Sequence, residues 1–289
     1  MYQTRSQIFP CIYLIDGVGN PSFLEIKPEY SSYARHCNRP IQLTPKFHYP
    51  PGSVFLVGLC NGFTCFVNDS TNIDQKHSLY IGNPLLGEYF EVKLPKWEIT
   101  DCGVTYGFCF SKASGKYKVL RLVVGKLTKV SGLEVYTVGV GEKWRNVEKV
   151  KSLPAPPGLV NPPWNLKLVE LGNYLCLTDY YNTNIDIWRM KEYGVSESWT
   201  KDIILVDSIP RGLVHFNFEP ILMWKDGELL IQSGTKLALY DPKMKSFRLV
   251  YFYSEVITAI TYIPSFYSLK TVMGDKFQVS NVYPKTRIV

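Results

Sequence analysis

The sequence repeats itself, and the repeat limits the folds open to it. An aliphatic-aromatic strand is followed, after a turn, by a second aromatic strand, four times over. The pairs are Leu79-Tyr80-Ile81 with Tyr89-Phe90-Glu91-Val92, and Val135-Tyr136-Thr137 with Trp144-Arg145-Asn146-Val147. Ile187-Trp188-Arg189 with Trp199-Thr200-Lys201 comes next, then Leu239-Tyr240-Asp241 with Phe247-Arg248-Leu249-Val250. The leading aromatics are separated by 56, 52 and 52 residues, near the period of about 50 that marks kelch-type propeller blades. Each pair is preceded by an apolar strand and a glycine turn, at Gly62, Gly115, Gly172 and Gly227. In the last copy, turns at Lys225-Asp226-Gly227, Ser233-Gly234 and Asp241-Pro242 separate four short strands. Four such strands form one antiparallel blade, which is marginal alone and stable when stacked radially. The expectation is an all-β, kelch-like β-propeller of about five or six four-stranded blades, one of which can be incomplete, in a single domain over residues 1–289. Half a copy at the N-terminus (Ile12-Tyr13-Leu14, Phe23 to Ile26) and unpaired strands around Ile257 to Ile263 and Phe277 to Val282 are expected to combine into one shared blade that closes the ring.

Composition agrees with this reading. Aromatics make up 14% of the residues, and they suit pleated, half-buried surfaces. A hydrophobic fraction of 46% is enough for a buried core, which argues against disorder. The net charge of +7 is not gathered into a dense basic run, so no nucleic-acid partner is expected. The seven cysteines contain no CxxC pair and mostly lie in apolar runs, where a free thiol acts as a small buried hydrophobe. No segment is long and apolar enough to span a membrane, and Ile8 to Ile15 is too short and contains Pro10, so no membrane partner is expected and the compartment is expected to be cytoplasmic or nuclear. Asn68-Asp69-Ser70 fits a glycosylation sequon. Pro28 to Cys37 could form a helical turn or two, and the proline-rich stretch Leu153 to Trp164 reads as an extended loop between blades.

Short motifs follow one another along nearly the whole chain: Gly58-Leu59-Cys60-Asn61-Gly62-Phe63, Asn83-Pro84 with Leu94-Pro95, Tyr106-Gly107-Phe108, Tyr117 to Arg121, Val135-Tyr136 with Trp144-Arg145, Leu171 to Cys176, and Tyr262 to Leu269. In this order they resemble the motifs of the F-box associated domain of plant F-box proteins, with Gly82 in place of the usual Trp before Asn83. The resemblance implies a non-catalytic protein-protein interaction module like the substrate-recognition domain of an SCF-type ubiquitin ligase, with a target protein as partner. That family carries an F-box that binds a Skp-type adaptor and, through it, a cullin. Nothing in these residues reads as that helical segment, and one family repeat after Trp144-Arg145 is shortened or absent. Adaptor and cullin are therefore expected only for a longer form that has an F-box. A carbohydrate-binding or carbohydrate-active propeller and a degenerate, truncated family member are the alternatives.

The residues themselves offer little chemistry. Gly125-Lys126 lacks the P-loop spacing, Gly139-Val140-Gly141 lacks a third glycine, and no Gly-x-Ser-x-Gly elbow occurs. The four histidines have no metal spacing, so no catalytic residue, metal or cofactor is expected. Two acid pairs, Asp179 with Asp186 and Asp226 with Glu228, are the material a glycosidase reading would need. Loops carry recognition on a rigid scaffold. Trp164, Tyr180, Tyr181 and Asn182, in polar-aromatic loops, are therefore the candidate partner contacts.

Overall fold

The computed structural model describes residues 11–16, 21–25, 53–69, 78–95, 103–124, 130–147, 153–159, 166–181, 184–205, 209–210, 213, 218–223, 227–250 and 256–281. Among them the fold is all-β, in five antiparallel sheets of blade construction. Strands β1 (Cys11–Asp16) and β2 (Pro21–Glu25) open the chain. A second group comprises β3 (Ser53–Cys60), β4 (Phe63–Asp69), β5 (Ser78–Asn83) and β6 (Glu88–Lys93). The third is β7 (Gly103–Ser111), β8 (Lys116–Val124), β9 (Val130–Thr137) and β10 (Arg145–Asn146). The fourth is β11 (Leu166–Leu171), β12 (Tyr174–Tyr181), β13 (Asn184–Met190) and β14 (Trp199–Leu205). The fifth is β15 (Phe218–Met223), β16 (Leu229–Ser233), β17 (Lys236–Asp241) and β18 (Ser246–Val250). The chain ends in β19 (Val256–Tyr262), the helix α1 (Leu269–Met273) and β20 (Ser280–Asn281). The last four groups are meanders in which each strand pairs with the next; β19, β1 and β2 form a three-stranded sheet, and β20 adds a fifth strand beside β6.

Turn chemistry sets the meanders. Asn61 and Gly62 join β3 to β4 with φ of 49° and 83°, and Gly172 and Asn173 join β11 to β12 with 59° and 67°. Two successive positive φ values are the hairpin geometry whose twist matches the flanking strands, and Asn and Gly reach it at low cost. Pro220 lies inside β15, which the missing N–H would normally forbid. It is accommodated because β15 is an edge strand and the register slips between Pro220 and Leu222.

The recurring aromatic pair is a contact between the third and fourth strands. Tyr80 meets Tyr89 at 6.5 Å between ring centroids, Tyr136 meets Trp144 at 5.6 Å, and Tyr240 meets Phe247 at 4.7 Å. In the fourth group Trp188 and Trp199 share one cluster with Met190 and Leu177. The indoles are also anchored. Trp144 Nε1 donates to the Lys93 carbonyl and Trp199 Nε1 to that of Pro154, which fixes the proline-rich stretch against its sheet.

The chain divides into two compact units. One comprises Met1–Cys11, Leu43–Val150 and Tyr262–Val289; the other comprises Ile12–Gln42 and Lys151–Thr261. In the first unit, the β3–β6 and β7–β10 sheets enclose a core of Phe63, Leu79, Val119 and Tyr136, capped by Leu269 and Met273 of α1. In the second, the β11–β14 sheet packs on the β15–β18 sheet through Ile185, Ile187, Leu229 and Ile231, and β1 packs on the other face of β15–β18 through Ile12 and Leu14.

The blade repeat matches the sequence expectation, and so does the pairing of the N-terminal strands with β19, whereas the Phe277 to Val282 segment does not join that sheet: its strand β20 pairs with β6. Some expectations need adjustment. The segment expected as a strand from Phe277 to Val282 is a strand only at Ser280–Asn281, and α1 precedes it. Asn68 of the sequon is buried within β4. Five cysteines are free thiols, of which Cys11, Cys65 and Cys176 are buried, while Cys37 and Cys102 lie outside the described residues, as do the helical turn at Pro28 to Cys37 and the acid Asp226. No helix among the described residues is long and apolar enough to cross a membrane.

Burial, and then Glu142, push the Tyr136 phenol up to about 12. An unfolded tyrosine titrates near pH 10, so the unfolded chain releases this proton first. The buried neutral phenol contributes stability that is intact below about pH 10 and is lost as pH rises towards 12. Tyr136→Phe is expected to flatten the fall in denaturation free energy between those two values, measured by urea unfolding at a series of alkaline pH values.

Candidate interaction surface

The most densely hydrogen-bonded feature of the first unit joins residues about 180 positions apart. The segment after β19 lies across the ends of β3–β6, held by side chains of the β5–β6 hairpin and by the backbone of the β3–β4 turn. Asn83 is fully buried and uses its whole amide. Its Nδ2 donates to the carbonyls of Ser265 (2.9 Å) and Tyr267 (3.0 Å), and its Oδ1 accepts from the N–H groups of Leu85 (3.0 Å) and Leu86 (3.2 Å). The Asn-Pro-Leu-Leu turn thus forms its own Asx turn and clamps a distant loop. Five residues on, buried Glu88 accepts from Ser268 Oγ (2.8 and 2.9 Å to its two oxygens) and from the Leu269 N–H (2.7 Å). Ser268 is the N-cap of α1, and its Oγ accepts from the Lys270 N–H. Tyr262 Oη donates to the Gly62 carbonyl at 3.3 Å. Gly62 itself leaves no room for a side chain, since a Cβ would lie 2.3 Å from that of Ser265.

The clamped loop presents its side chains outward. Phe266 is 81% exposed, and Ile263 and Tyr267 are each about half exposed. An aromatic held in water on a backbone fixed at Ser265 and Tyr267 has little conformational entropy left to lose on binding, which is the character of an interface anchor.

Of the four candidate contacts from sequence, Tyr180 and Tyr181 are the last two residues of β12, in register with Ile185 and Asn184. Trp164 and Asn182 lie outside the described residues. Asp179 and Asp186 are cross-strand partners in β12 and β13. Asp179 is buried, and Asp186 pairs with Lys201 at 2.6 Å. Glu228 pairs with Arg248 at 3.4 Å. Asp179 and Asp186 sit within a sheet and Glu228 directly before β16, and the last two are in ion pairs, not at the controlled separation across a cleft that glycoside hydrolysis requires. Among the described residues, no three His, Cys, Asp or Glu side chains come together as a metal site.

Part of the sequence matches a known family. Residues 22–158 match the F-box associated beta propeller domain. The resemblance read from the motifs is therefore borne out, and the propeller blade is the right description of the sheets. The chain is 26% identical to the F-box protein At3g07870 of Arabidopsis thaliana, covering 67% of this chain and 64% of that protein. It is 26% identical to the F-box/kelch-repeat protein At3g23880 of the same plant (64% and 60%), and 24% identical to its F-box protein CPR1 (66% and 60%). The chain thus spans about three fifths of the length of these curated relatives.

With the F-box associated domain in view, its motifs acquire physical roles. Asn61-Gly62, Asn83-Pro84 and Tyr262 to Leu269 meet at one place and form the clamp. Arg121, at the end of the Tyr117 to Arg121 motif, is buried and pairs with Glu134 directly across β8 and β9 at 2.5 Å. Sequence reasoning took Tyr262 to Leu269 only as a motif and did not single out Phe266 and Tyr267 as surface residues. Ser268 and Gly274 were the available signals of a helix between them, as N-cap and C-cap.

Asn83→Asp would set a carboxylate against two carbonyl oxygens in a buried site. It is expected to cost at least about 3 kcal/mol, and Gly62→Ala about 1 kcal/mol or more from its positive φ together with the contact with Ser265. Urea denaturation of each variant beside the parent chain measures both.

Proposed function

We propose that this chain is a non-catalytic, target-recognising module of the kind that F-box proteins carry, acting in the cytoplasm or nucleus. The observation that carries the proposal is the match of residues 22–158 to the F-box associated beta propeller domain. The clamped display of Phe266 and Tyr267 supports it, because a rigid scaffold with exposed aromatic anchors suits protein recognition better than it suits turnover. The whole of residues 1–289 is assigned to this one domain. Trp164, Tyr180, Tyr181 and Asn182 remain proposed as further contacts. Binding of a Skp-type adaptor and a cullin, and with it a part in ubiquitin transfer, is proposed only for a form that carries an F-box.

The test is affinity capture from plant extract with the 289-residue chain as bait. A specific protein is expected to survive high-salt washing. Phe266→Ser is expected to reduce its capture by about tenfold, the effect of losing one hot-spot aromatic, with an unchanged melting temperature. If no protein is retained above a scrambled-surface control, the recognition reading is wrong.

A further inference from the structure

Within the second unit a cleft of about 500 Å3 lies between the β11–β14 and β15–β18 sheets. That is the size of an ordinary ligand or side-chain pocket. Its walls are apolar: Ile187 and Ile204 on one side, Met223, Leu229 and Tyr240 on the other. Its charged lining is lopsided, with Arg189, Lys201 and Lys245 against Asp202 alone. Two of those cations are already engaged. Arg189 pairs with Asp202 at 3.0 Å and lies over the Tyr174 ring at 5.8 Å, and Lys201 pairs with Asp186 and lies over the Trp188 ring at 5.1 Å. Lys245 has no ion pair among the described residues.

Lys245 is also conformationally unusual. It ends the turn between β17 and β18 with φ of 49°, a left-handed position where Gly or Asn is the ordinary choice. The rest of that turn is conventional, with Asp241 Oδ1 accepting from the N–H groups of Lys243 (2.8 Å) and Met244 (3.1 Å). A strained lysine at the edge of a cleft, kept where glycine would be easier, is the kind of outlier that marks a functional position.

We infer that this cleft docks a short acidic peptide segment of the target protein, with one apolar side chain between the Ile187/Ile204 and Met223/Leu229/Tyr240 walls and an Asp or Glu carboxylate against Lys245. The inference rests on the recognition reading above and adds the site and the chemistry of the partner. A carboxylate is the fitting anion because one uncommitted ammonium matches a single negative charge, whereas a phosphate calls for a cluster of donors or an arginine fork.

The probe is a randomised twelve-residue peptide library displayed on phage and selected against the full 289-residue chain. Enriched peptides are expected to place Asp or Glu next to Leu, Ile, Met or Phe. The best synthetic peptide is expected to bind about tenfold more weakly to Lys245→Gly and to weaken with added salt. Lys245→Gly also removes the left-handed strain, so its melting temperature is expected to rise. A purely structural lysine would move only the melting temperature. Met223→Trp, which fills the cleft, is expected to abolish peptide binding in a chain that still melts cooperatively. Enriched peptides without acidic residues, or binding that Lys245→Gly leaves intact, would overturn the assignment. If Lys245→Gly captures the target of the preceding experiment as strongly as the parent chain does, the cleft is wrong and the recognition module stands. If that capture fails altogether while acidic peptides still select the cleft, the recognition reading is the one that falls.

Discussion

A β-sheet that is apolar on both faces cannot be solvated on either, and the β15–β18 sheet is built around that restriction. Alternate residues of a strand point to opposite faces. Leu229 and Ile231 of β16 therefore enter one cluster, with Ile185 and Ile187 of the neighbouring sheet, while Leu230 between them enters another, with Ile12 and Leu14 of β1. β16 is buried at every residue. Its one amide, Gln232, is tolerated because both ends are used: Oε1 accepts from the Ala259 N–H and Nε2 donates to the Gly234 carbonyl. The second bond belongs to the hairpin, and the first ties β19 to the sheet. Face-to-face stacking is thus the condition for each blade to persist, and the polar contacts settle which strand lies where.

The clamp in the first unit applies the same logic to a loop. A connection over the end of a blade exposes backbone carbonyls that would otherwise need water. Asn83 and Glu88 supply the missing partners for Ser265, Tyr267 and Leu269 from residues some 180 positions earlier. The entropy of closing so long a loop grows only logarithmically with its length, so a few buried, fully satisfied hydrogen bonds are enough to hold it. The result is a loop whose backbone is as fixed as a strand while its side chains remain free to be chosen for something other than packing.

Much of the blade was legible in the sequence, and the reasons are local. The Tyr240 and Phe247 pairing and turns such as Asn61-Gly62 and Asp241-Pro242 each lie within a dozen residues of the strands they organise. The pairing of β1 with β19 was legible only as the leftover of a count of half-copies. The clamp was not legible, because nothing near Asn83 indicates that its amide faces Ser265. The five-residue helix α1 was missed for a related reason: it is too short for a periodic signal, and tertiary contacts to Glu88 and Gly139 hold it in place. The partner candidates were read from aromatic loops, yet Phe266, the large hydrophobic residue with the highest exposure among the described residues, lay in a motif noted only for its resemblance.

The distinction between residues that hold and residues that display bears on which positions of the chain can vary. Asn83, Glu88 and Gly62 are bound by geometry, since each has its hydrogen bonds or its lack of a Cβ committed to a specific neighbour. Phe266 and Met244 project into solvent and touch the fold's stability hardly at all. Lys245 stands between these cases, because its backbone is strained by the turn while its side chain has no ion pair among the described residues. Substitution at the displayed positions changes surface chemistry at little cost in stability, whereas substitution at the holding positions costs stability and gains nothing in recognition. An identity of about one quarter to the F-box protein At3g07870 is compatible with this separation, since the displayed positions can change without loss of the blades or the clamp.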